Sequence, residues 1–172
     1  MTARDYAAIL HRVESDIPPS ADRETRMRLL VDILWDALHT AAVSWAGFYL
    51  PDPSEPQHLV LGPRRDKPAC SPIGLHGACG KSFLTREPLI VHDVAALGPN
   101  YIACDPKDRS ELVLPCLEPD GAAWGVLDLD SYDVGAFNEH DGRELTRILH
   151  VAGLTTPPKN ASGEPRRPAA AH

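Results

Sequence analysis

The sequence predicts an α+β domain in which helices pack on one side of an antiparallel sheet. Three observations indicate this class. Apolar residues recur at helical spacing near both ends of the chain, segments rich in β-branched and aromatic residues lie between them, and Pro- and Gly-rich stretches separate those segments. Helices followed by consecutive strands are typical of α+β proteins. The 172 residues suffice for one domain, which we predict to span residues 1–154.

Two helices are predicted ahead of the first strand, over residues 4–15 and 21–39. The apolar residues of the first helix recur at helical spacing, as Tyr6, Ile9, Leu10 and Val13. The second helix has a similar apolar stripe, and Ser20 is its expected N-cap because a serine hydroxyl can accept a hydrogen bond from the first turn. A C-terminal helix is predicted over residues 138–152, with Asn138 as its N-cap.

The sheet and its loops are predicted over residues 43–131. Strands are expected at "VSWAGFYL", "QHLVLG" and "PLIVHDV", a short helix is expected at "CGKSFLTRE", and "ELVLPCLEPDGAAWGVLDLDS" is typical of a hairpin that turns at "EPDG". Two long loops, "PRRDKPACSPIGLHGACG" and "AALGPNYIACDPKDRS", interrupt these elements. Loops of this length in a compact domain are usually functional or disordered. Residues 155–172 are rich in Pro, Ala and polar residues and are predicted to form a disordered tail.

The composition excludes several classes of partner. A formal net charge of -7 argues against nucleic acid or an anionic membrane. No run of apolar residues approaches the ~18 that a membrane span needs. The N-terminal segment has acidic residues within its apolar pattern and no signal-peptide core, so we expect a cytosolic protein.

Four cysteines lie in the second and third quarters of the chain, at positions 70, 79, 104 and 116. Structural disulfides are disfavoured in a reducing compartment. The cysteines also lack the short ligand pairs of zinc sites, although His76 and His92 could complete a metal site by proximity in the fold.

Two of these cysteines lie in contrasting sequence environments, one polar and one apolar. Cys104 lies in a polar loop beside Asp105, Lys107 and Asp108, which is unusual for a core cysteine and is typical of a reactive thiol. The aspartates disfavour a thiolate there and the lysine favours it, so the sequence leaves the net effect on the pKa open. Cys116 alternates with apolar residues of a predicted strand and is expected to be a small core residue.

Three carboxylates are predicted to converge on one face of the hairpin. Asp128 and Asp130 are two residues apart on a strand and therefore point to the same face. If the turn pairs Glu118 with Gly121, Glu111 lies directly opposite Asp128 and shares that face. One interpretation is that the three carboxylates lie on a solvated outer face of the sheet. A second is a carboxyl whose raised pKa lets it donate a proton near neutral pH, and a third is a site for Mg²⁺ or Ca²⁺.

These segments together resemble the GAF-domain free methionine-(R)-sulfoxide reductases. The resemblance rests on "WAGFYL", "GPRRDKPACSPIGLHGACG", "IVHDV", "YIACD", "SELVLP" and "WGVLDLDS", which span half of the chain. The cysteines of "KPAC", "GACG" and "IACD", together with "SE" and "LDLD", form its most specific part. The resemblance implies a GAF-like antiparallel sheet with the N-terminal and C-terminal helices packed on one side. The fold alone says little about function.

The resemblance also implies roles for individual residues. Cys104 is the expected nucleophile, and Cys79 and Cys70 are the expected resolving cysteines on a mobile loop. The resemblance further assigns two groups of side chains to the substrate. Glu111, Asp128 and Asp130 would surround the sulfoxide oxygen and the amino group of the substrate, while Trp45 and Tyr49 would form the wall against its methyl group and sulfur.

The chemistry that the resemblance implies agrees with these residue types. Reduction of a sulfoxide needs a nucleophilic sulfur and a proton donor together. Cys104 would become a sulfenic acid as methionine leaves, a nearby thiol would form a disulfide with it, and thioredoxin or a similar dithiol would reduce that disulfide. No cofactor or metal is expected.

The chain departs from the family pattern in the loops that cover the pocket. It has Arg64, Arg65 and Asp66 where the pattern has an aromatic residue and a glycine, and Asn100 and Tyr101 where it has "GH". The interval between the first two cysteines is one residue shorter, and the loop before the third is one residue longer. These changes bear on substrate fit and on the choice of resolving cysteine.

Two other functions stay open at this point. One is a GAF module without catalysis that senses a small metabolite or an oxidant, although the chain carries no recognisable output segment. The other is a metal-dependent hydrolase that uses the three acids. A homodimer through a sheet edge or the first helix is compatible with either function and with the reductase.

Overall fold

A computed structural model describes residues 4–98 and 104–156 of the chain. Within these two ranges, four α-helices and six strands follow one another with a single 3₁₀ turn between them. In chain order they are α1 (Tyr6–Asp16), α2 (Arg23–Leu38), β1 (Trp45–Pro51), β2 (His58–Arg65), β3 (Ile73–Gly74), α3 (Ala78–Thr85), β4 (Leu89–Val91), the 3₁₀ turn (Val94–Leu97), β5 (Ser110–Leu117), β6 (Ala123–Ser131) and α4 (Glu139–Val151). No helix in the described ranges is long and apolar enough to cross a bilayer.

The six strands form one antiparallel sheet, in the order β3-β2-β1-β6-β5-β4. Side chains alternate between its two faces, as β1 illustrates. Ala46 and Phe48 join the core formed with α1, α2 and α4, whereas Trp45 and Tyr49 join a smaller core on the opposite face. The predicted α+β class, with the N-terminal and C-terminal helices on one side of the sheet, is therefore confirmed.

The helix ends follow from their capping residues. Asn138 caps α4 as predicted: its side chain accepts a hydrogen bond from His140 N at 2.8 Å, and Asp141 Oδ2 accepts one from Asn138 N at 2.8 Å. The prediction that Ser20 caps α2 is wrong. Asp22 does so instead, because its carboxylate accepts a hydrogen bond from the first turn of the helix.

The hairpin between β5 and β6 turns at "EPDG" as predicted, but the register of its two strands differs from the expected one. Glu118 N donates to Ala122 O at 2.8 Å, and Gly121 N donates to Glu118 O at 2.9 Å with Gly121 at a φ of +87°. An irregularity in the ladder between Cys116 and Leu117 adds a further shift. The expected pairing of Glu118 with Gly121 is therefore wrong, and the register along the hairpin moves by two residues.

The chain continues to pack against the sheet after α4. Leu117 N donates to Thr155 Oγ1 at 2.9 Å, and Thr156 N donates to Leu117 O at 3.0 Å. The predicted tail therefore begins two residues too early, because these threonines bond to the end of β5. The rest of that prediction, residues 157–172, lies outside the described residues. Cys116 is fully buried in the helix-side core, as predicted.

Candidate active site

A cavity of about 810 Å³ lies between the face of the sheet that carries α3 and the loops around it. Its lining includes Tyr49, three cysteines and five acids, namely Cys70, Cys79, Cys104, Asp93, Asp108, Glu111, Asp128 and Asp130. All the site residues predicted from the sequence lie at this cavity except Trp45. That indole lies behind Tyr49, with ring centroids 6.0 Å apart, and its Nε1 donates to Lys67 O at 3.0 Å.

The three predicted acids meet on the cavity side of the hairpin. Glu111 lies opposite Asp130 rather than Asp128, which lies opposite Val113. A shift of two residues keeps every side chain on its original face, so the three carboxyls still converge. One oxygen from each lies within 4.8 Å of the others. Glu111 is 3% exposed and Asp128 is 5% exposed, whereas Asp130 is half-buried, so the solvated outer face considered above is wrong.

Burial and mutual repulsion raise the pKa values of Asp128 and Asp130. Burial, followed by the charge of Glu111, raises the pKa of Asp128 well above its usual value. Burial and the charge of Asp128 raise the pKa of Asp130 in the same direction. Asp108 is a further buried acid at the cavity. Burial raises its pKa, and it accepts a hydrogen bond from Ser44 Oγ at 3.3 Å. The cavity can thus hold protonated carboxyls, which donate protons or hydrogen bonds.

Cys104 and Cys70 come together at the mouth of the cavity. The Cys104 thiol interacts with the side chain and backbone of Cys70, and its Sγ lies 3.9 Å from Tyr49 OH. Tyr49 OH in turn donates to Cys70 O at 2.9 Å. Burial and the Cys70 side chain raise the pKa of Cys104 to about 12, so the thiol is protonated at neutral pH.

Cys79 occupies a different environment from the other two cavity cysteines. It lies in the first turn of α3 rather than on a loop, and it is 6% exposed, whereas Cys70 and Cys104 are exposed. Its thiol donates to Asp128 Oδ2 at 3.2 Å. Burial and the charge of Asp128 raise its pKa well above the usual value. Cys79 is therefore a neutral hydrogen-bond donor to one of the acids.

The sequence did not single out Lys67 and Tyr132. The Lys67 ammonium contacts both Asp105 and Tyr132, and Tyr132 OH donates to Asp105 Oδ2 at 3.0 Å. Lys67, rather than Lys107, is thus the cation paired with Asp105. The motif "KPAC" could have drawn attention to Lys67. Its partner Asp105 lies 38 residues away in the sequence, so local sequence patterns could not predict the ion pair. The departures at Asn100 and Tyr101 lie outside the described residues.

In the part of the chain that the structure describes, the three converging acids are also the side chains placed to bind a metal ion. Among the described residues, the one group of His, Cys, Asp or Glu side chains spaced to hold an ion is Glu111, Asp128 and Asp130. His76 and His92 line the cavity but do not belong to that group.

Comparison with known proteins relates the fold to one family. A family model described as "GAF domain" matches residues 20–155. A free methionine-R-sulfoxide reductase from Saccharomyces cerevisiae is 40% identical over 122 residues, which cover 69% of this chain and 67% of the yeast protein. The structure of free methionine-R-sulfoxide reductase from Neisseria meningitidis in complex with its substrate matches with a TM-score of 0.77 and 32% identity, covering 88% of this chain and 90% of that one. A putative GAF sensor protein from Burkholderia vietnamiensis matches with a TM-score of 0.75 and 33% identity, over 86% and 90% of the two chains.

Proposed function

Because this chain belongs to the GAF-domain free methionine-R-sulfoxide reductase family, we propose that it reduces free L-methionine-(R)-S-oxide to L-methionine. The observation that carries the proposal is the contact between Cys104 and Cys70 at a cavity that also holds protonated acids. Sulfoxide reduction requires both a sulfur nucleophile and a proton donor, and a second thiol completes the cycle.

In the proposed first step, the Cys104 sulfur attacks the sulfoxide. The oxygen is transferred to Cys104: a bond forms between it and the Cys104 sulfur, its bond to the substrate sulfur breaks, and methionine leaves while Cys104 becomes a sulfenic acid. The substrate sulfur gains two electrons and the Cys104 sulfur loses two. Because the pKa of Cys104 is about 12, its proton must leave as attack occurs. One proton, from Asp128 or Asp130, reaches the sulfoxide oxygen in this step and weakens its bond to sulfur, and the proton lost by Cys104 restores the protonated carboxyl.

In the proposed second step, the Cys70 thiol attacks the sulfenic sulfur of Cys104. A disulfide forms and the hydroxyl leaves as water. Cys70 is the first resolving cysteine because it is exposed and in contact with Cys104. Cys79 would act after Cys70, by thiol–disulfide exchange with the Cys70–Cys104 disulfide, because it must first break its hydrogen bond to Asp128. Thioredoxin or a similar dithiol then reduces the exposed disulfide.

The same acids would make the cavity prefer free methionine sulfoxide over a methionine sulfoxide within a peptide. A free amino acid carries an ammonium group that a methionine within a peptide lacks. An ionised carboxylate of the Glu111, Asp128 and Asp130 cluster pairs with that ammonium, while a protonated one serves the sulfoxide. Tyr49 forms the cavity wall against the methyl group and sulfur, and Trp45 supports it from behind.

Methionine production tests the proposal directly. Wild-type protein and Cys104→Ser are incubated with L-methionine sulfoxide that is racemic at sulfur, with dithiothreitol as the reductant. We expect wild type to convert about half of the material, the R epimer, and the serine variant to convert none. Wild type that produces no methionine while remaining folded would overturn the proposal.

The second candidate function is a sensor without catalysis. It is favoured by the likeness to the putative GAF sensor protein, which is as similar in sequence as the Neisseria reductase. A sensor would bind methionine sulfoxide or another small metabolite in the same cavity without producing methionine. Calorimetric binding with no turnover in the assay above would favour it.

A further inference from the structure

A three-residue cluster joins the two loops that carry Cys70 and Cys104. Lys67 lies three residues before Cys70, and Asp105 directly follows Cys104. The Lys67 ammonium pairs with the Asp105 carboxylate across these loops. Both side chains are partly shielded from water, at 34% and 21% exposure. The ion pair is therefore a direct polar link between the two cysteine-bearing loops.

Tyr132 ties this ion pair to the sheet. It directly follows β6, its hydroxyl donates to Asp105 Oδ2 at 3.0 Å, and the Lys67 ammonium contacts the same hydroxyl. Lys67 Nζ also lies 4.9 Å from the centroid of the Tyr132 ring. Tyr132 thus anchors the ion pair to the end of β6.

Each loop is also fastened on its own side of the cluster. The backbone carbonyl of Lys67 accepts a hydrogen bond from the buried indole of Trp45 at 3.0 Å. On the other loop, Asp105 Oδ1 accepts from Lys107 N at 3.0 Å, and Asp105 O accepts from Asp108 N at 3.0 Å. These bonds transmit the position of the ion pair to the backbones next to the cysteines.

We propose that Lys67, Asp105 and Tyr132 form a clamp that positions Cys70 against Cys104 and so sets the rate at which their disulfide forms. The proposal rests on the proposed function only in assigning that disulfide to the catalytic cycle. Two thiols on separate loops react at a rate that depends on their effective concentration, which rises when the loops are held together. Lys67, Asp105 and Tyr132 are therefore positioning residues rather than catalytic ones.

The clamp is tested by following disulfide formation apart from methionine release. Hydrogen peroxide converts the Cys104 thiol to a sulfenic acid and water, and the Cys70 thiol then displaces a second water as the disulfide forms. Samples are quenched with acid, and the Cys70–Cys104 disulfide and the trapped sulfenic acid are quantified by mass spectrometry. This assay needs no substrate, so it reports on the clamp even if the protein does not reduce methionine sulfoxide.

Lys67→Met is the test variant, and Arg65→Met is its matched control. Arg65 is a cation two residues away, but its ion pair is with Asp32 of α2, at 2.5 Å, and not with the Cys104 loop. We expect Lys67→Met to slow disulfide formation roughly three- to five-fold and to accumulate sulfenic acid. Added salt should slow wild type toward the rate of the variant, since salt screens a partly exposed pair. Arg65→Met should match wild type.

Two results would overturn the proposal. One is disulfide formation at the wild-type rate in Lys67→Met. The other is an equal slowing in Lys67→Met and Arg65→Met, because a general loss of positive charge would then account for the effect. If wild type gives no methionine from methionine sulfoxide but the peroxide assay gives the expected pattern, the proposed function fails and the clamp stands.

Discussion

The Cys79 thiol donates a hydrogen bond to Asp128, with Sγ 3.2 Å from Oδ2 of that carboxyl. Both residues are buried, and the other carboxyl oxygen, Oδ1, has no hydrogen-bond partner among the described residues. A buried polar atom without a partner is costly to the folded protein and is uncommon outside functional sites. Asp128 is therefore held in place by one oxygen while the other is available to a ligand.

Replacement of Asp128 by asparagine tests its proposed role as proton donor. An amide keeps the shape of the side chain and can still accept from Cys79, but it cannot deliver a proton. We expect Asp128→Asn to lower the rate of methionine formation roughly 100-fold, the range that general acids contribute. Asp120→Asn, which changes an exposed carboxyl on the turn of the same hairpin, should keep the wild-type rate. Equal rates in the two variants would contradict the role.

The raised pKa of Asp128 also predicts how stability depends on pH. In the unfolded chain this carboxyl loses its proton near its usual pKa of about 3.9, whereas in the folded protein it keeps the proton to higher pH. The folded state therefore binds more protons between these two values, and its stability falls as pH rises, by up to about 1.4 kcal/mol per pH unit for each such group.

Urea unfolding of wild type and Asp128→Asn between pH 5 and pH 8 measures this contribution. Other groups titrate in both proteins, so the informative quantity is the difference between the two free energies of unfolding. We expect Asp128→Asn to gain stability relative to wild type as pH rises. A difference that stays constant over this range would show that Asp128 has no raised pKa.

Local patterns in the sequence were sufficient to predict the fold class and the face on which the acids lie. Alternation along β5 and β6 places Glu111, Asp128 and Asp130 on one side, and a register error of two residues leaves that side unchanged. The pairing itself was predicted wrongly, because it depends on the turn at Glu118 and on a ladder irregularity. Neither of these has a reliable signal in the residue pattern.

The sequence could not predict relations that depend on distant contacts. Lys67 and Asp105 are separated by 38 residues and meet only because two loops converge above the sheet. The raised pKa of Cys104 has a similar origin, since burial and Cys70 outweigh the charged neighbours in its own loop. The position of Trp45 behind Tyr49 likewise depends on how the Lys67 loop covers the strand.

Serine variants of Cys70 and Cys79 separate their proposed roles. Cys70→Ser should release about one methionine per protein in the absence of reductant and then stop with Cys104 as a sulfenic acid, since the thiol in contact with it is gone. Cys79→Ser should still form the Cys70–Cys104 disulfide, because a serine hydroxyl can take over the hydrogen bond to Asp128. Methionine release and peptide mass spectrometry without reduction provide both readouts. A disulfide that forms in Cys70→Ser but not in Cys79→Ser would reverse the assignment.

The hydroxyl of Tyr49 is expected to tune the reactivity of Cys104. It lies 3.9 Å from Cys104 Sγ, and by turning from Cys70 O it can donate its proton to a Cys104 thiolate, which lowers the pKa of the thiol against the larger effect of burial. Tyr49→Phe should therefore raise the pKa of Cys104 further and reduce its thiolate fraction at any given pH. We expect the loss of this interaction in Tyr49→Phe to slow the reaction of Cys104 with iodoacetamide roughly five-fold, the effect of one hydrogen bond of about 1 kcal/mol.

Cys116 provides an internal control for that measurement. It is fully buried on the helix side of the sheet, so its alkylation requires the protein to open. Mass spectrometry of the two cysteine peptides from one sample gives both rates. We expect Cys104 labelling to slow in Tyr49→Phe while Cys116 labelling stays at its wild-type rate. Unchanged or faster labelling of Cys104, with Cys116 still protected, would show that the Tyr49 hydroxyl does not stabilise the thiolate.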